Sequence, residues 1–299
     1  MARPVRLIDI GANLVDPMFV GLYRGKQKHA NDFEHMLTRA FANHVEKIIV
    51  TGGSLSESKE ALALAREHDN LHCTVGVHPT RCNEFLDDPE TYMQGLHDLI
   101  RDGKTDGKVV AVGEFGLDYD RLEFCDVATQ KEYFARQFEL ARVSKLPLFL
   151  HNRNTGEDFY DMISRHRDAF REGVVHSFTG TAEEAKKLLD LGLFIGINGC
   201  SLKTEENLAV VKSIPVDRMM LETDAPWCDI RPTHASFPFV KTLFDAKKPE
   251  KFQAGVPVKG RNEPCTMIQV LEVVSALHGM DAADVAETVY ANTHRVFFG

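Results

Sequence analysis

The chain has 299 residues, of which 43% are hydrophobic and 26% are charged, a composition typical of a globular protein with a sizeable core. No apolar run approaches the ~20 residues that a membrane-spanning helix needs. The formal net charge of −9 argues against a protein that coats nucleic acid by charge, but it is compatible with an enzyme that grips a few phosphates through metal ions. Two basic clusters, within residues 24–28 and 241–251, are expected to be solvated faces.

The N-terminal stretch and the cysteines both indicate an intracellular protein. Residues 1–14 lack the long apolar segment and the small-residue cleavage site of a signal peptide. The six cysteines include no CxxC pair, and their spacing matches neither a zinc site nor a disulfide framework. We therefore expect a protein of the cytosol or nucleus, in which Cys82 and Cys228 are buried, inert thiols.

Short apolar runs alternate with amphipathic stretches along the whole chain. Eight strands are predicted, at 6–10, 47–51, 72–77, 109–114, 146–151, 173–176, 193–197 and 218–222. Helices are predicted at 32–43, 56–68, 89–102, 129–144, 156–170, 181–190, 204–213, 263–278 and 281–298. Ser56 and Thr181 are the predicted N-caps of two of these helices, because acidic or polar first turns follow them.

This alternation predicts the fold class. Apolar strands separated by helices indicate a parallel sheet that is covered on both faces. Eight such units favour a closed (β/α)8 TIM barrel in a single domain over residues 1–299, and a doubly wound open sheet is the alternative. The stretch 225–262 contains five prolines and is expected to form a long irregular loop over the mouth of the barrel.

Potential metal ligands follow the apolar runs at the same end of one strand after another. They are Asp9, Asn13, His78, Glu114, His151, His176, Glu222 and Asp224. Because the carboxyl ends of barrel strands surround one opening, we expect these side chains to converge there. Taken singly, each has an ordinary explanation, since a histidine at a strand end is often structural and an aspartate there often caps the next helix.

The residue types predict a two-metal site. Imidazole plus carboxylate suits zinc, manganese or another first-row divalent ion, and a carboxylate-rich position suits magnesium or manganese. We expect Glu114 to bridge two ions, with His151 and His176 on one ion and Asp224 on the other. Two ions roughly 3.5–4 Å apart lower the pKa of a bound water and neutralise charge on a phosphoryl oxygen. Asp224 can also take a proton from the attacking water.

Two further residues are predicted to contact a phosphate. His78 can donate to a phosphate oxygen or a leaving group, and Arg153 can pair with a phosphate in forked geometry. The alternatives are that His78 only orients the loop that follows it and that Arg153 only pairs with a neighbouring carboxylate.

Six short segments stand in an order that is characteristic of one enzyme family. They are GVHP (76–79), VGEFGLDYD (112–120), LPLFLHNR (146–153), VVHSFTG (174–180), LETDAPW (221–227) and RNEP (261–264). These segments resemble the motifs of the TatD family of metal-dependent deoxyribonucleases, and the resemblance runs from about residue 8 to residue 298. It implies an amidohydrolase-like barrel enzyme whose metal ligands are Glu114, His151, His176 and Asp224. It also implies DNA as substrate, 3′→5′ exonuclease action on single strands, compatible endonuclease activity, and roles in DNA repair or DNA fragmentation.

The opening of the chain departs from this pattern. Many family members have an aspartate followed by His-x-His, whereas here Asp9 is followed by Gly11, Ala12 and Asn13, which resembles the branch of TatD proper and its eukaryotic relatives. The second metal position is then left to carboxylates, with Asn13 as a further candidate ligand. A site poor in nitrogen favours magnesium or manganese over tightly bound zinc.

Two other functions remain open from the sequence. The same ions can hydrolyse an amide or ester, as in amidohydrolases or an aminoacyl-tRNA deacylase, and the net charge of −9 mildly favours a small substrate. A barrel that has lost one metal position can also survive as a binding protein without activity. In the leading interpretation the protein acts on DNA as a monomer and binds no membrane.

Overall fold

Eight parallel strands form a nearly closed barrel in the computed structural model, which describes residues 5–299. The strands are β1 (Leu7–Ala12), β2 (Val45–Val50), β3 (Leu71–Val75), β4 (Val109–Asp118), β5 (Leu148–Arg153), β6 (Gly173–Val175), β7 (Phe194–Ile197) and β8 (Met219–Leu221). Each strand pairs with the next one along the chain, so that the order in the sheet follows the sequence. The prediction of a TIM barrel is therefore confirmed. Residues 1–4, which belong to the 1–14 stretch considered above, lie outside the described residues.

The barrel is closed between its first and last strands by two backbone hydrogen bonds at and just beyond the ends of these strands. The amide of Asn13 donates to the carbonyl of Ala225 at 2.7 Å, and the amide of Asp224 donates to the carbonyl of Gly11 at 2.8 Å. Asp9 contributes from within β1, where its carboxylate accepts hydrogen bonds from the amide and hydroxyl of Thr223. The prediction that Asp9 faces the mouth is thus wrong, because this fully buried side chain links the two strands.

Nine helices among the described residues surround the barrel. They are α1 (Phe33–Ala42), α2 (Leu55–Glu67), α3 (Pro89–Thr105), α4 (Val127–Ser144), α5 (Asp158–Arg165), α6 (Ala182–Asp190), α7 (Glu205–Ser213), α8 (Met267–His278) and α9 (Ala282–Phe298). Thr181 caps α6 in a reciprocal capping box with Glu184, as predicted. The predicted cap at Ser56 is wrong, because the side chain of Ser54 accepts the amide of Glu57 and the helix begins at Leu55. No helix within residues 5–299 is long and apolar enough to cross a membrane.

Apolar side chains fill the barrel beneath the mouth. The last helix closes this cluster, whose buried members include Ile10, Ile49, Phe149, Phe194, Met220, Val296 and Phe297. Burying each large apolar side chain stabilises the fold by about 1.5–3 kcal/mol. The ring of Phe149 stacks at 4.6 Å on the ring of His176, so the top of this core forms the floor beneath the polar site described below.

A buried ion-pair network holds the RNEP segment against the start of α1. The guanidinium of Arg261 donates to both oxygens of Asp32 at 2.7 Å and to Glu263 at 2.8 Å. Arg39 of α1 donates to the other oxygen of Glu263 at 2.8 Å. This motif therefore anchors the long segment 225–262, which is irregular as predicted apart from short 3-10 turns.

A short hairpin lies between β1 and α1 and is absent from the sequence-based prediction. Two residues on each side, Leu22–Tyr23 and Lys26–Gln27, pair in antiparallel orientation. The turn contains Arg24 and Gly25, which both have positive φ. Two-residue strands carry too little alternation of apolar and polar residues to be detected from sequence.

Candidate metal centre

Strand β4 carries its functional residues inside the strand. The predicted strand 109–114 is too short, because the register shifts around Glu114 and pairing then continues, with Gly116 opposite His151 and Asp118 opposite Arg153. Gly116 has a φ of +155°, and a Cβ atom there would collide with the carbonyl oxygen of His151. Glycine is therefore required for the strand to pass this point.

Three buried side chains from neighbouring strands meet at one point. Oε1 of Glu114 lies 2.7 Å from Nδ1 of His151 and 2.7 Å from Nε2 of His176. The two nitrogen atoms are 3.3 Å apart. The exposed fraction of each residue is between 4% and 7%, so bulk water cannot screen the charges in this group.

A second layer of carboxylates fixes the orientation of both imidazole rings. Nε2 of His151 lies 3.2 Å from Oδ2 of Asp118, and Nδ1 of His176 lies 3.3 Å from Oε2 of Glu222. Ionised carboxylates only accept hydrogen bonds, so we infer that these ring nitrogens carry the protons. The other nitrogen of each ring then directs a lone pair at Glu114.

The arrangement could hold a cation at its centre. Two imidazole lone pairs and a carboxylate oxygen repel one another unless a metal ion or protons lie between them. Burial lowers the pKa of His176, but the carboxylates of Glu114 and Glu222 outweigh burial and hold this pKa well above its usual value. Burial raises the pKa of Glu114, but the charges of His176 and His78 and the bonds from the histidines hold it well below its usual value. The donor set and its polarity fit a divalent metal ion.

His78 lies at the edge of this group. Its Nε2 is 3.6 Å from Oε1 of Glu114, and the ligand atoms of His78, Glu114 and His151 all lie within 4.8 Å of one another, a grouping that could also hold a metal ion. The amide of Thr80 donates to Nδ1 of His78, which places the proton of the neutral ring on Nε2. Burial and the neighbouring His151 lower the pKa of His78 to about 3. The ring is therefore a neutral donor that faces the cavity.

Asp224 and Asn13 lie on the same cavity, which has a volume of about 1180 Å³ and is also lined by Glu114, His151 and His176. The amide nitrogen of Asn13 donates to Oδ1 of Asp224 at 2.9 Å. Burial raises the pKa of Asp224 to about 7, and Glu222 and Glu114 add to this effect. The other oxygen, Oδ2, lies 3.2 Å from Sγ of Cys228.

The position of the missing His-x-His motif is filled by other side chains. A Cβ atom at Gly11 would lie 2.7 Å from Oε2 of Glu222 and 2.8 Å from Cζ of Phe149. Both contacts are shorter than van der Waals separation, so a histidine at this position would displace the carboxylate that orients His176. The glycine and the buried Glu222 are therefore mutually dependent.

Arg153 lines the cavity. Its Nη1 lies 3.8 Å from Oδ2 of Asp118, which is a long-range ion pair without a forked hydrogen bond. The guanidinium is about one-third exposed. Arg153 therefore retains free N–H groups on the cavity side while it remains attracted to Asp118.

The expectation of free thiols is wrong for one pair of cysteines. Cys200 and Cys228 form a disulfide, with Cα atoms 5.0 Å apart. The two residues are separated by 28 positions in the sequence but follow β7 and β8, which are neighbours in the sheet. Cys82 is buried and free, as expected, and burial raises its thiol pKa well above the usual value.

The supporting role of two carboxylates was not predicted from the sequence. Asp118 was not among the candidate ligands, although residues 114, 116 and 118 of one strand share a face. Glu222 was among them but was assigned to neither ion. Its signal is that it directly follows the apolar run of β8, as His176 directly follows that of β6.

Comparisons with known proteins identify the family of this chain. The family model described as "TatD related DNase" matches residues 8–298. The chain is 46% identical over 297 residues to "Deoxyribonuclease Tat-D" of Schizosaccharomyces pombe, with 97% of this chain and 95% of the relative covered. It is 33% identical to "3′-5′ ssDNA/RNA exonuclease TatD" of Erwinia tasmaniensis, with 97% and 99% covered.

A solved structure leads to the same assignment. The crystal structure of a hydrolase TatD family protein from Entamoeba histolytica superimposes with a TM-score of 0.93 at 36% identity, and 99% of each chain is covered. Both the sequence and the backbone therefore match along almost the whole length. The chain belongs to the TatD-related DNase family of hydrolases.

Proposed function

We propose that this chain is a divalent-metal-dependent deoxyribonuclease. In this proposal it hydrolyses DNA phosphodiester bonds as a 3′→5′ exonuclease on single strands, with endonuclease cleavage as a second activity, in DNA repair or DNA fragmentation. The observation that carries the proposal is the convergence of three lone-pair atoms, from Glu114, His151 and His176, at 2.7–3.3 Å. The Erwinia tasmaniensis relative is named as a 3′-5′ ssDNA/RNA exonuclease, which supports this direction of cleavage.

Two metal ions are assigned in this proposal. Glu114, His151 and His176 would hold one ion, and Glu114 with Asp224 would hold the other. Bound there, divalent ions lower the pKa of a coordinated water and neutralise charge on the phosphoryl group. The second position is rich in oxygen ligands, which favours magnesium or manganese. Asn13 orients Asp224 through the 2.9 Å hydrogen bond from its amide nitrogen, and its amide oxygen would be a further ligand of the second ion.

The remaining residues position the substrate and move protons. His78 donates from Nε2 to an oxygen of the phosphate, which its neutral state allows. Arg153 offers N–H groups to a second phosphate oxygen. Asp224 accepts the proton of the attacking water at Oδ2, since Oδ1 already accepts the hydrogen bond from Asn13.

The experiment follows single-stranded DNA labelled at either end, with magnesium, manganese or zinc, and with EDTA. A 3′→5′ exonuclease shortens a 5′-labelled strand into a ladder and releases the label of a 3′-labelled strand first. We expect Glu114→Gln to lower the rate about 100-fold or more, because metal binding and charge stabilisation carry the reaction. Glu132→Gln, on the exposed face of α4, is the matched control and leaves the rate unchanged.

Two outcomes contradict the proposal. Equal cleavage with EDTA and with divalent ions would rule out metal dependence. No cleavage with any ion, together with turnover of amides or aminoacyl esters, would assign the same centre to the amidohydrolase or aminoacyl-tRNA deacylase alternative.

A further inference from the structure

The cavity that contains the metal centre continues towards the hairpin of residues 22–27. A second cavity of about 920 Å³ lies over this hairpin and shares Asp16, Pro17 and Trp227 with the first one. The two cavities are therefore adjacent, with Trp227 at the junction, and together they are called the channel below.

The hairpin side of this channel carries unbalanced positive charge. Arg24, Lys26 and Lys28 are exposed and line the second cavity. None of the ion pairs found between the described residues includes any of the three. In a chain with a net charge of −9, such a cluster facing a cavity marks a site for an anion.

The first cavity carries both signs of charge. Glu57 and Asp120 line it, and so do Arg121 and Lys203. The second cavity is different, because Asp16 is the single carboxylate among the described residues of its lining, beside the three cations of the hairpin. A polyanion that enters the metal centre is therefore attracted towards the hairpin.

Trp227 presents a large aromatic surface between the two sites. The residue is 52% exposed, although it stands in a turn whose neighbours Ala225 and Pro226 are buried. Exposed aromatic rings next to a basic groove are the usual elements of sequence-tolerant single-strand binding, because every base can stack on them.

The hairpin is held in place before any ligand binds. The amide of Lys28 donates to the carbonyl of Gly21 at 2.8 Å, and the ring of His29 contacts Tyr23 Oη at 3.1 Å. On its other side His29 stacks on Phe252 at 4.6 Å. This packing reduces the conformational entropy that phosphate binding would otherwise remove.

We propose that single-stranded DNA follows this channel. One base stacks on Trp227, and Arg24, Lys26 and Lys28 bind the phosphates of the nucleotides on the 5′ side of the scissile bond. This inference rests on the proposed function, which places the 3′ end in the metal centre.

Fluorescence tests the channel directly, because Trp227 is the only tryptophan of the chain. The magnesium-loaded enzyme is titrated with a phosphorothioate single strand of about ten nucleotides, a usual length for such sites. We expect the emission of Trp227 to be quenched on binding. We expect Trp227→Leu to raise KM for the corresponding cleavable strand about 5- to 150-fold, and to raise it much less for a small aryl phosphodiester.

Salt dependence tests the hairpin. Each phosphate contact on a single strand contributes about 0.7 to the slope of log Kd against log salt concentration. Replacing Arg24, Lys26 and Lys28 together by Gln should therefore reduce this slope by about 2. A matched triple variant replaces exposed cations at the opposite end of the barrel, and it should keep the wild-type slope; its positions are Lys145, Arg171 and Lys212.

The outcomes separate the two proposals. Unchanged Trp227 emission with a strand that is bound and cleaved, or an unchanged salt slope in the hairpin variant, would overturn the channel alone. A wild-type enzyme that cleaves neither the strand nor the small diester would overturn the proposed function and the channel with it. Quenching together with a reduced slope in the hairpin variant alone would support the channel.

Discussion

Asp118 provides a sharp test of how the metal centre is built. Its carboxylate accepts one hydrogen bond on each oxygen, from Nε2 of His151 at 3.2 Å and from the amide of Asp120 at 3.0 Å. Asp118→Asn has the same shape but only one acceptor. If its oxygen faces His151, its NH₂ group meets the N–H of Asp120. If its NH₂ group faces His151, the imidazole proton must move to Nδ1, where it points at Glu114 and occupies the metal position.

Only the second orientation acts on the metal ion, because a proton on Nδ1 competes with the ion for the same lone pair. The first orientation is disfavoured, because it brings two donors together at the amide of Asp120. Replacing a carboxylate that orients a metal-binding histidine typically lowers metal affinity by about 10- to 100-fold. That range corresponds to about 1.4–2.7 kcal/mol of metal-binding free energy. We therefore expect Asp118→Asn to weaken metal binding about 10- to 100-fold.

Calorimetric titration with manganese or magnesium measures the affinity, and the rate of strand cleavage is followed over the same range of metal concentration. Because Asp118 acts through His151, saturating metal should restore most of the lost rate. Asp120→Asn is the matched control, since it makes the same chemical change two residues away on the same cavity. Wild-type metal affinity in Asp118→Asn, or an equal loss of affinity in both variants, would contradict the role of Asp118 in orienting His151.

Three further predictions concern other parts of the network. Glu222→Gln should weaken metal binding about 10- to 100-fold, as measured by the same titration, because Glu222 holds His176 at 3.3 Å. Arg261→Met should lower the free energy of unfolding by about 3–5 kcal/mol in urea titrations, since it leaves the buried carboxylates of Asp32 and Glu263 with Arg39 as their remaining guanidinium partner; a loss under 1 kcal/mol would contradict this. Burial raises the pKa of Asp32, but Arg261 holds it below the usual 3.8, so its contribution is complete above that pH and is lost on acidification. Unfolding curves at stepped pH should therefore show stability falling below about pH 4, and a flat profile there would argue against this ion pair.

The barrel could be predicted because its signal is repeated. Each of the eight predicted strands overlaps an observed strand, since buried parallel strands read as continuous apolar runs. The ends of the elements were less accurate where local and tertiary effects compete. Residues 156–170 contain the shorter helix Asp158–Arg165 followed by a 3-10 turn, and residues 263–278 begin with a 3-10 turn at Pro264. Ser54 and Ser56 are both suitable caps, and only the backbone conformation distinguishes them.

The residues that face the metal position were accessible from sequence for a chemical reason. A single histidine at a strand end is often structural, but Glu114, His151 and His176 stood out as a set because they follow apolar runs at the same end of three strands. The layer behind them did not, because a carboxylate that orients a ring has the same residue type as a helix cap or a surface group. Only the pairing of β4 with β5 brings Asp118 to His151.

The histidines of the candidate metal centre and the carboxylates behind them depend on each other, as position 11 shows. Glycine at position 11 leaves space for Glu222 and Phe149, and Glu222 in turn fixes the tautomer of His176. The space beside position 11 is therefore occupied by a carboxylate that serves His176. A histidine side chain at position 11 would collide with this carboxylate and with the ring of Phe149. We therefore expect Gly11→His to weaken the His151–His176 position even though it introduces a nitrogen ligand.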